Sequence, residues 1–147
     1  MQRATGPMRF VWRTDADLRA MDLSLDKSDR SYGSVFGPSP ATTNYGIVGF
    51  GRLTTPDAWL STWSALSSNA SIAKAGPDMH LPTLLISHTA DNCVFPSDVD
   101  AISAAIASTD RQAHALAADH YGNPAGPPGR RRDQAAALID DWVRNLA

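Results

Sequence analysis

The chain has 147 residues, of which 43% are hydrophobic, and a formal net charge of −2. This length and apolar content fit one globular domain with its own core and exclude a disordered chain. The small net charge, the single cysteine and the lack of an apolar run of about 18 residues argue against a nucleic-acid-binding, disulfide-linked or membrane-spanning protein. Since the N-terminal segment also lacks a signal-peptide core, we expect a cytoplasmic protein.

Residues 1–80 are irregular and rich in turn-forming residues, as in LDKSDRSYGSVFGPSPATTNYG. The segment MRFVWRT near the N-terminus has an alternating pattern, with Met8, Phe10 and Trp12 on one side. This alternation predicts one short strand within an otherwise irregular region.

A helix is predicted to begin at Thr55-Pro56-Asp57. These residues supply an N-cap, a proline at the first helical position and an early acid. The helix is predicted to run through AWLSTWSALSS and to place Trp59 and Trp63 on one face, four residues apart. We expect the two tryptophans to pack against the core, and lining of a substrate pocket is the alternative.

Residues 81–147 have a regular pattern of strand, helix, strand and helix. PTLLISH is a continuous apolar strand of the kind that is covered on both faces. The capping box Ser97-Asp98-Val99-Asp100 starts the helix DVDAISAAIAS, and RQAHALA forms a second strand. The last helix, RRRDQAAALIDDWVRNL, has one apolar face that comprises Ala135, Leu138, Ile139, Trp142 and Leu146. This order predicts a right-handed parallel unit of an α/β sheet.

A carboxylate and an imidazole follow the two predicted strands. Asp91 comes just after the first strand, and His120 comes just after the second. Adjacent parallel strands lie about 4.8 Å apart and end at the same edge of the sheet, so the two side chains are predicted to meet. A carboxylate that accepts from one ring nitrogen fixes the histidine tautomer and stabilises the imidazolium. The pair therefore matches two of the three groups of a nucleophile–histidine–acid triad.

The same residues carry a resemblance to a known family. PTLLISHTADNCVFPSD resembles the acid-bearing strand and loop of the α/β-hydrolase superfamily, and ADHYG resembles its histidine loop. Upstream, RTDADLRAMDLSLDKSDRSYGSVFG and NYGIVGFGRLTTPDAWLSTWSALSSNAS are similar to the cap region of a bacterial esterase-like branch. The resemblance implies a cap-like segment over residues 1–80 and the C-terminal part of an α/β-hydrolase fold over residues 81–147.

The resemblance also implies a chemistry. Asp91 would be the triad acid and His120 the triad base of an enzyme that hydrolyses a small ester or amide by acyl transfer, without metal or organic cofactor. In the alternative to core packing, Trp59 and Trp63 would line its substrate pocket together with Phe95.

The chain departs from the family in its nucleophile. The family places a nucleophile on a G-x-S-x-G turn ahead of the acid, and no such motif precedes Asp91 here. GSVFG puts Ser34 beside the first glycine, and GIVGFG has no serine. We therefore expect a truncated or split hydrolase that is inactive alone. The alternatives are a non-catalytic hydrolase-like binding module and a subunit that completes a split hydrolase.

The predicted strand PTLLISH also suggests how the chain could bind a partner. Without its other sheet neighbours this apolar strand would expose an edge, which favours a homodimer or a complementing chain.

Simpler interpretations of the individual residues remain open. Asp91 can be a turn-forming acid ahead of Asn92, and His120 can be an ordinary loop histidine. Asp98 and Asp119 are rival candidates for the acid. A metal site is not expected, because typical ligand spacing is lacking among His80, His88, Asp91 and His120.

Overall fold

The computed structural model describes residues 8–10, 17–46, 53–64, 66–125 and 131–146. These residues form helices and two small sheets of two strands each. Strands β1 (Arg9–Phe10) and β2 (Leu53–Thr54) pair antiparallel, whereas β3 (Thr83–His88) and β4 (Arg111–Leu116) pair parallel. The described part of the chain is thus a mixed helical and β structure, compatible with the α/β class.

The region before β3 contains only short elements. Its helices are α1 (Pro40–Tyr45), α2 (Pro56–Trp63) and α3 (Ile72–Ala75), with 3-10 turns at Leu18–Ala20 and Gly76–Asp78. The strand predicted in MRFVWRT is confirmed as the two residues of β1, and Trp12 lies outside the described residues.

Helix α2 begins as predicted and ends early. The Thr55 hydroxyl accepts a hydrogen bond from the Ala58 N–H at 3.2 Å, and Pro56 occupies the first helical position. The helix ends at Trp63 because Ser64 leaves the helical conformation. The Ser64 hydroxyl accepts from the Leu66 N–H, which offers the backbone an alternative to the next helical turn.

The predicted strand–helix–strand–helix order is confirmed in the second half of the chain. Helix α4 (Pro96–Ala105) connects the parallel strands β3 and β4, and α5 (Arg131–Arg144) follows β4. Helix α4 begins two residues before the predicted start. The Asp98 carboxylate accepts from the Phe95 N–H at 3.0 Å, so Phe95 is the N-cap and Pro96 is the first helical residue.

Helices α4 and α5 each border a cavity beside the β3–β4 sheet. Ser87, His88 and Ala115 of the two strands line the cavity at α4, whereas His114, Ala115 and Leu116 line the cavity at α5.

Helix α3 joins this unit through a close contact at Gly76. The Gly76 carbonyl accepts from the Ala107 N–H at 3.0 Å. A Cβ at position 76 would lie 2.6 Å from the Ala105 carbonyl oxygen, so only glycine permits this approach.

The apolar core is small. Its buried members are Ala20, Ala90, Phe95, Ile106 and Ala118. All six residues of β3 remain partly exposed, although the strand was predicted to be covered on both faces. Among the described residues, β3 has one sheet neighbour, β4, so its residues are shielded by a strand on one side only. None of the described helices is both long and apolar enough to cross a membrane.

Residues 17–38 are bonded to the loop that connects β3 to α4. The Asp26 carboxylate accepts from the Ser97 N–H at 3.0 Å and from the Ser97 hydroxyl at 2.6 Å. The Thr89 hydroxyl donates to the Asp29 carboxylate at 2.6 Å. These bonds fix the chain around the carboxyl end of β3, where Asp91 lies.

Candidate active site

Asp91 occupies a tight turn beyond the end of β3. Its Oδ1 accepts from the Cys93 N–H at 2.7 Å and from the Val94 N–H at 3.0 Å, and the residue is buried. Asp91 therefore does form a turn, as the simpler interpretation of this acid predicted. The two hydrogen bonds of the turn fix the carboxylate through Oδ1 and do not involve Oδ2.

The structure brings His120 to this carboxylate. Nδ1 of His120 lies 3.1 Å from each carboxylate oxygen of Asp91. The Asp91 side chain is 10% exposed and the His120 side chain 35% exposed, so the acid is shielded while the imidazole reaches solvent. A carboxylate can only accept, so Nδ1 carries a proton, and Nε2 presents a lone pair whenever the imidazole is neutral. No hydrogen bond joins Nε2 to the described residues.

Asp119, one rival for the acid, instead organises the histidine loop. Its Oδ1 accepts from the N–H groups of Tyr121 and Asn123, each at 2.9 Å. Burial by itself raises the pKa of Asp119, but the hydrogen bonds from Asn123 and Tyr121 outweigh burial and hold this pKa below its usual value. Asp119 therefore shapes the loop that carries His120 and makes no hydrogen bond to the imidazole.

Asp98, the other rival, belongs to a charged cluster at the start of α4. Its Oδ1 accepts from the Arg19 guanidinium at 2.9 Å, and its Oδ2 accepts from the Phe95 N–H. A hydrogen bond from Arg19 is also the largest cause that lowers the pKa of Asp17. Both carboxylate oxygens of Asp98 are therefore hydrogen-bonded, one to Arg19 and the other to the backbone at the start of α4.

The ring of Phe95 lies within this cluster. It is 2% exposed, and the guanidinium groups of Arg19 and Arg30 lie 4.2 and 5.0 Å from its centroid. The buried guanidinium of Arg30 donates to the backbone carbonyls of Arg19, Asp22, Leu25 and Asp26. Phe95 therefore anchors residues 17–30 to α4.

A cavity of about 250 Å³ adjoins His120. Residues of the segment 31–38 line one side, and Ala90, Asn92, Asp119, His120 and Tyr121 line the other. The Tyr121 hydroxyl donates to the Val35 carbonyl at 3.2 Å and joins the two walls. The cavity is large enough for a small ligand next to the imidazole.

The wall formed by residues 31–38 was not predicted from the sequence. Its fold depends on a turn in which Ser34 and Gly37 exchange backbone hydrogen bonds. Gly33 has φ of 103°, and a Cβ there would lie 2.6 Å from the Gly37 carbonyl oxygen. The closely spaced glycines were the available signal for a tight turn, but they gave no sign of what the turn would contact.

The structure does not bring the predicted pocket residues to this cavity. Trp59 and Trp63 lie on α2, where they are 37% and 53% exposed, and neither lines the cavity. Phe95 is also absent from its lining, because its ring is enclosed by Arg19 and Arg30. The cavity beside His120 is lined instead by residues of the segment 31–38.

The four candidate metal ligands, His80, His88, Asp91 and His120, do not form one cluster. Within the described ranges, no three His, Cys, Asp or Glu side chains lie close enough together to hold a metal ion.

No protein-family model, no curated protein and no solved structure matches the chain.

Proposed function

We propose that the chain supplies the acid and the histidine of a serine-type hydrolase of the α/β-hydrolase kind, which cleaves a small ester or amide. The single observation that supports this most directly is the contact of both Asp91 carboxylate oxygens with Nδ1 of His120 at 3.1 Å. The resemblance of PTLLISHTADNCVFPSD and ADHYG to the acid and histidine loops of that family points the same way.

The proposed mechanism uses the free nitrogen of the imidazole. Nε2 of His120 takes the proton from a nucleophile's hydroxyl as its oxygen attacks the acyl carbon. Asp91 accepts the Nδ1–H throughout and stabilises the imidazolium that forms. The imidazolium then returns the proton to the leaving alcohol or amine, which departs as the carbon–oxygen or carbon–nitrogen bond breaks. The imidazole is neutral again after this transfer, and the acyl group is bonded to the nucleophile's oxygen. Nε2 then takes a proton from a water molecule as the water oxygen attacks the acyl carbon, and the imidazolium returns this proton to the nucleophile's oxygen as the carboxylic acid departs.

The nucleophile in this proposal comes from another polypeptide segment. The sequence holds no G-x-S-x-G motif ahead of Asp91. Ser34 lines the same cavity as His120, but it is buried in its own turn, where its hydroxyl accepts from the Phe36 N–H at 3.2 Å. The chain by itself is therefore proposed to be catalytically incomplete.

The test compares the chain alone with the chain completed by a nucleophile. Alone it should not hydrolyse short p-nitrophenyl esters. A polypeptide encoded upstream or nearby that carries G-x-S-x-G should restore hydrolysis when it is joined to the chain or produced with it. Asp91→Asn should then lower kcat on the order of 10⁴-fold, because the amide favours the wrong imidazole tautomer. His120→Ala should be at least as damaging.

Asp100→Asn is the matched control, because Asp100 is an exposed acid on α4 that has no role in the proposed chemistry. It should leave the restored activity unchanged. Hydrolysis by the chain alone that disappears in His120→Ala would show that the nucleophile lies within these residues. A completed enzyme that tolerates His120→Ala would contradict the proposal and favour the non-catalytic binding module.

A further inference from the structure

The cavity beside His120 carries a negative charge. Among the described residues that line it, Asp119 is the only Asp, Glu, Lys or Arg. Hydrogen bonds hold the pKa of this carboxyl below its usual value, so it is ionised at neutral pH, and His88 makes the smallest electrostatic contribution to that shift. No ion pair joins Asp119 to another described residue. Arg132, which contacts the same loop, donates to the Tyr121 carbonyl at 2.9 Å.

Three side chains of the cavity use their hydrogen-bond donors within the chain. The Tyr121 hydroxyl donates to the Val35 carbonyl at 3.2 Å. The side-chain amide of Asn92 donates to the Gly33 carbonyl at 3.4 Å. The Nδ1–H of His120 is directed at the acid described above. These groups therefore leave few donors for a ligand that carries a negative charge.

Hydrogen-bond acceptors remain in the same cavity. A carboxylate has about four lone-pair sites, and the carboxylate of Asp119 accepts from Tyr121 and Asn123 only. No described residue donates to Oδ1 of Asn92. The hydroxyls of Ser31 and Tyr32 can accept as well as donate. A ligand that suits this cavity donates hydrogen bonds and has a positive charge.

Two aromatic rings add to this preference. Tyr32 and Tyr121 both line the cavity, and they are 52% and 55% exposed. The ring of Tyr121 is held at both ends, because it lies nearly perpendicular to the His120 imidazole with the centroids 5.4 Å apart and its hydroxyl is bonded to Val35. The faces of aromatic rings attract cations, and such rings recur in sites that bind organic ammonium ions.

We propose that this cavity binds a small organic ammonium ion. Asp119 supplies the opposite charge, Asp119 and Asn92 accept hydrogen bonds from the ammonium group, and the rings of Tyr32 and Tyr121 attract the cation. The volume of about 250 Å³ suits a ligand of a few heavy atoms. That the ammonium group belongs to the substrate, as an amino-substituted ester or amide, rests on the proposed hydrolase function, whereas the binding itself does not.

NMR titration of the ¹⁵N-labelled intact chain at neutral pH tests this preference with three probes of similar length. n-Butylammonium is cationic, 1-butanol is neutral and butyrate is anionic. Butylammonium should shift the amide signals of Asn92, Asp119 and Tyr121 to saturation, with a Kd at least about fivefold below that of 1-butanol, because of its attraction to the carboxylate. Butyrate should bind most weakly.

Three results of this titration would overturn the proposal. They are the lack of saturable shifts with butylammonium, equal affinities for butylammonium and 1-butanol, and binding of butyrate that is as tight as that of butylammonium.

Asp119→Asn separates the charge from the shape of the loop. The amide oxygen of the variant can still accept from the N–H groups of Tyr121 and Asn123, so the loop should keep its fold, which the amide spectrum verifies. The affinity for butylammonium should fall to that for 1-butanol. Asp100→Asn is the matched control, because it removes an exposed charge on α4 that does not line the cavity. A preference that survives Asp119→Asn, or that Asp100→Asn removes equally, would contradict the assigned charge.

Substitution of Tyr121 tests the aromatic ring. Tyr121→Phe keeps the ring and loses the hydroxyl, whereas Tyr121→Leu loses both. Tyr121→Leu should bind butylammonium about two- to fivefold more weakly than Tyr121→Phe, with little difference for 1-butanol. Equal affinities of the two variants for butylammonium would contradict the role assigned to the ring.

The ammonium site and the proposed hydrolase chemistry can fail separately. The titration uses the chain alone and needs no nucleophile, so a failure of the ammonium preference would leave the pair of Asp91 and His120 in place. A completed enzyme that tolerates His120→Ala would contradict the hydrolase and leave the ammonium site, because Asp119 and Asn92 make no hydrogen bond to the imidazole.

Discussion

The imidazole of His120 is oriented by one residue that performs two tasks. Oδ1 of Asp91 closes the turn through the N–H groups of Cys93 and Val94, and both carboxylate oxygens face Nδ1. Because the turn fixes the carboxylate, the imidazole meets an acceptor whose position is already set. Asp91 is shielded from solvent, whereas His120 lies at the rim of the cavity, so the carboxylate holds the imidazole from the buried side.

Asp91→Asn should reverse the tautomer of His120. The amide oxygen of the variant can still close the turn, whereas its NH2 group now faces Nδ1 and can only donate. Neutral His120 should therefore change from the Nδ1–H to the Nε2–H tautomer. Long-range ¹H–¹⁵N correlation spectra of the imidazole report this change directly.

His80 serves as the internal control in the same spectra, because it is exposed and makes no hydrogen bond to Asp91. Its tautomer should be the same in both proteins. An Nε2–H tautomer of His120 already in the unmodified chain would contradict the assigned donor.

At the scale of elements, the start of α4 determines how the Asp91 loop enters the helix. Residues 89–94 connect the end of β3 to Phe95, whose N–H is bonded to the Asp98 carboxylate. That carboxylate also binds Arg19. The helix start is therefore held both by local capping and by a segment distant in sequence.

Two substitutions of Asp98 should destabilise the protein to different extents. Asp98→Asn keeps an oxygen for the Phe95 N–H but loses the charge opposite Arg19, so the free energy of unfolding should fall by less than about 1 kcal/mol. Asp98→Ala removes both interactions and should lower it by about 1–2 kcal/mol. Urea denaturation measures both values.

Asp100→Ala is the control within the same helix, since Asp100 is exposed and has no role at the helix start. It should change the free energy of unfolding by less than about 0.5 kcal/mol. Equal losses for Asp98→Ala and Asp100→Ala would show that the observed cap does not stabilise α4.

At the scale of the whole molecule, hydrogen-bonded carboxylates connect the first part of the chain to the second. The hydrogen bond from Ser97 is the largest cause that lowers the pKa of Asp26. Asp26 belongs to residues 17–38 and Ser97 to α4, so this bond joins the two halves. Arg19 has a raised pKa, chiefly through its hydrogen bond with Asp17, and bonds to Asp98 from the same segment.

These pKa shifts predict a loss of stability in acid. Asp17, Asp26 and Asp119 have pKa values below the ordinary 3.8 in the folded chain, so the folded state binds their protons more weakly than the unfolded state does. Their contribution is complete above that ordinary value and is lost as the pH falls through the folded values. The urea midpoint should therefore decrease below about pH 4.

Asp119→Asn should flatten this decrease, because one of the shifted carboxylates is removed. A midpoint that stays constant or rises between about pH 5 and pH 3 would contradict the predicted linkage.

The local sequence predicted the regular elements and the central pair well. Thr55-Pro56 marks the start of α2, the apolar run marks β3, and both candidate residues follow directly after strands. These features depend on neighbouring residues or on the geometry of parallel strands. Trp59, Trp63 and Phe95 do not line the cavity beside His120, and a helical or apolar pattern does not specify which distant segment will cover such residues.

The sequence by itself determined that this chain forms strands followed by Asp91 and His120, since strand alternation and turn chemistry act over a few residues. Only the tertiary structure decided what surrounds the pair. Arg19 and Arg30 enclose Phe95, and residues 31–38 form the cavity wall. Each of these outcomes depends on contacts between residues far apart in the chain, and the packing of the whole molecule selects among them.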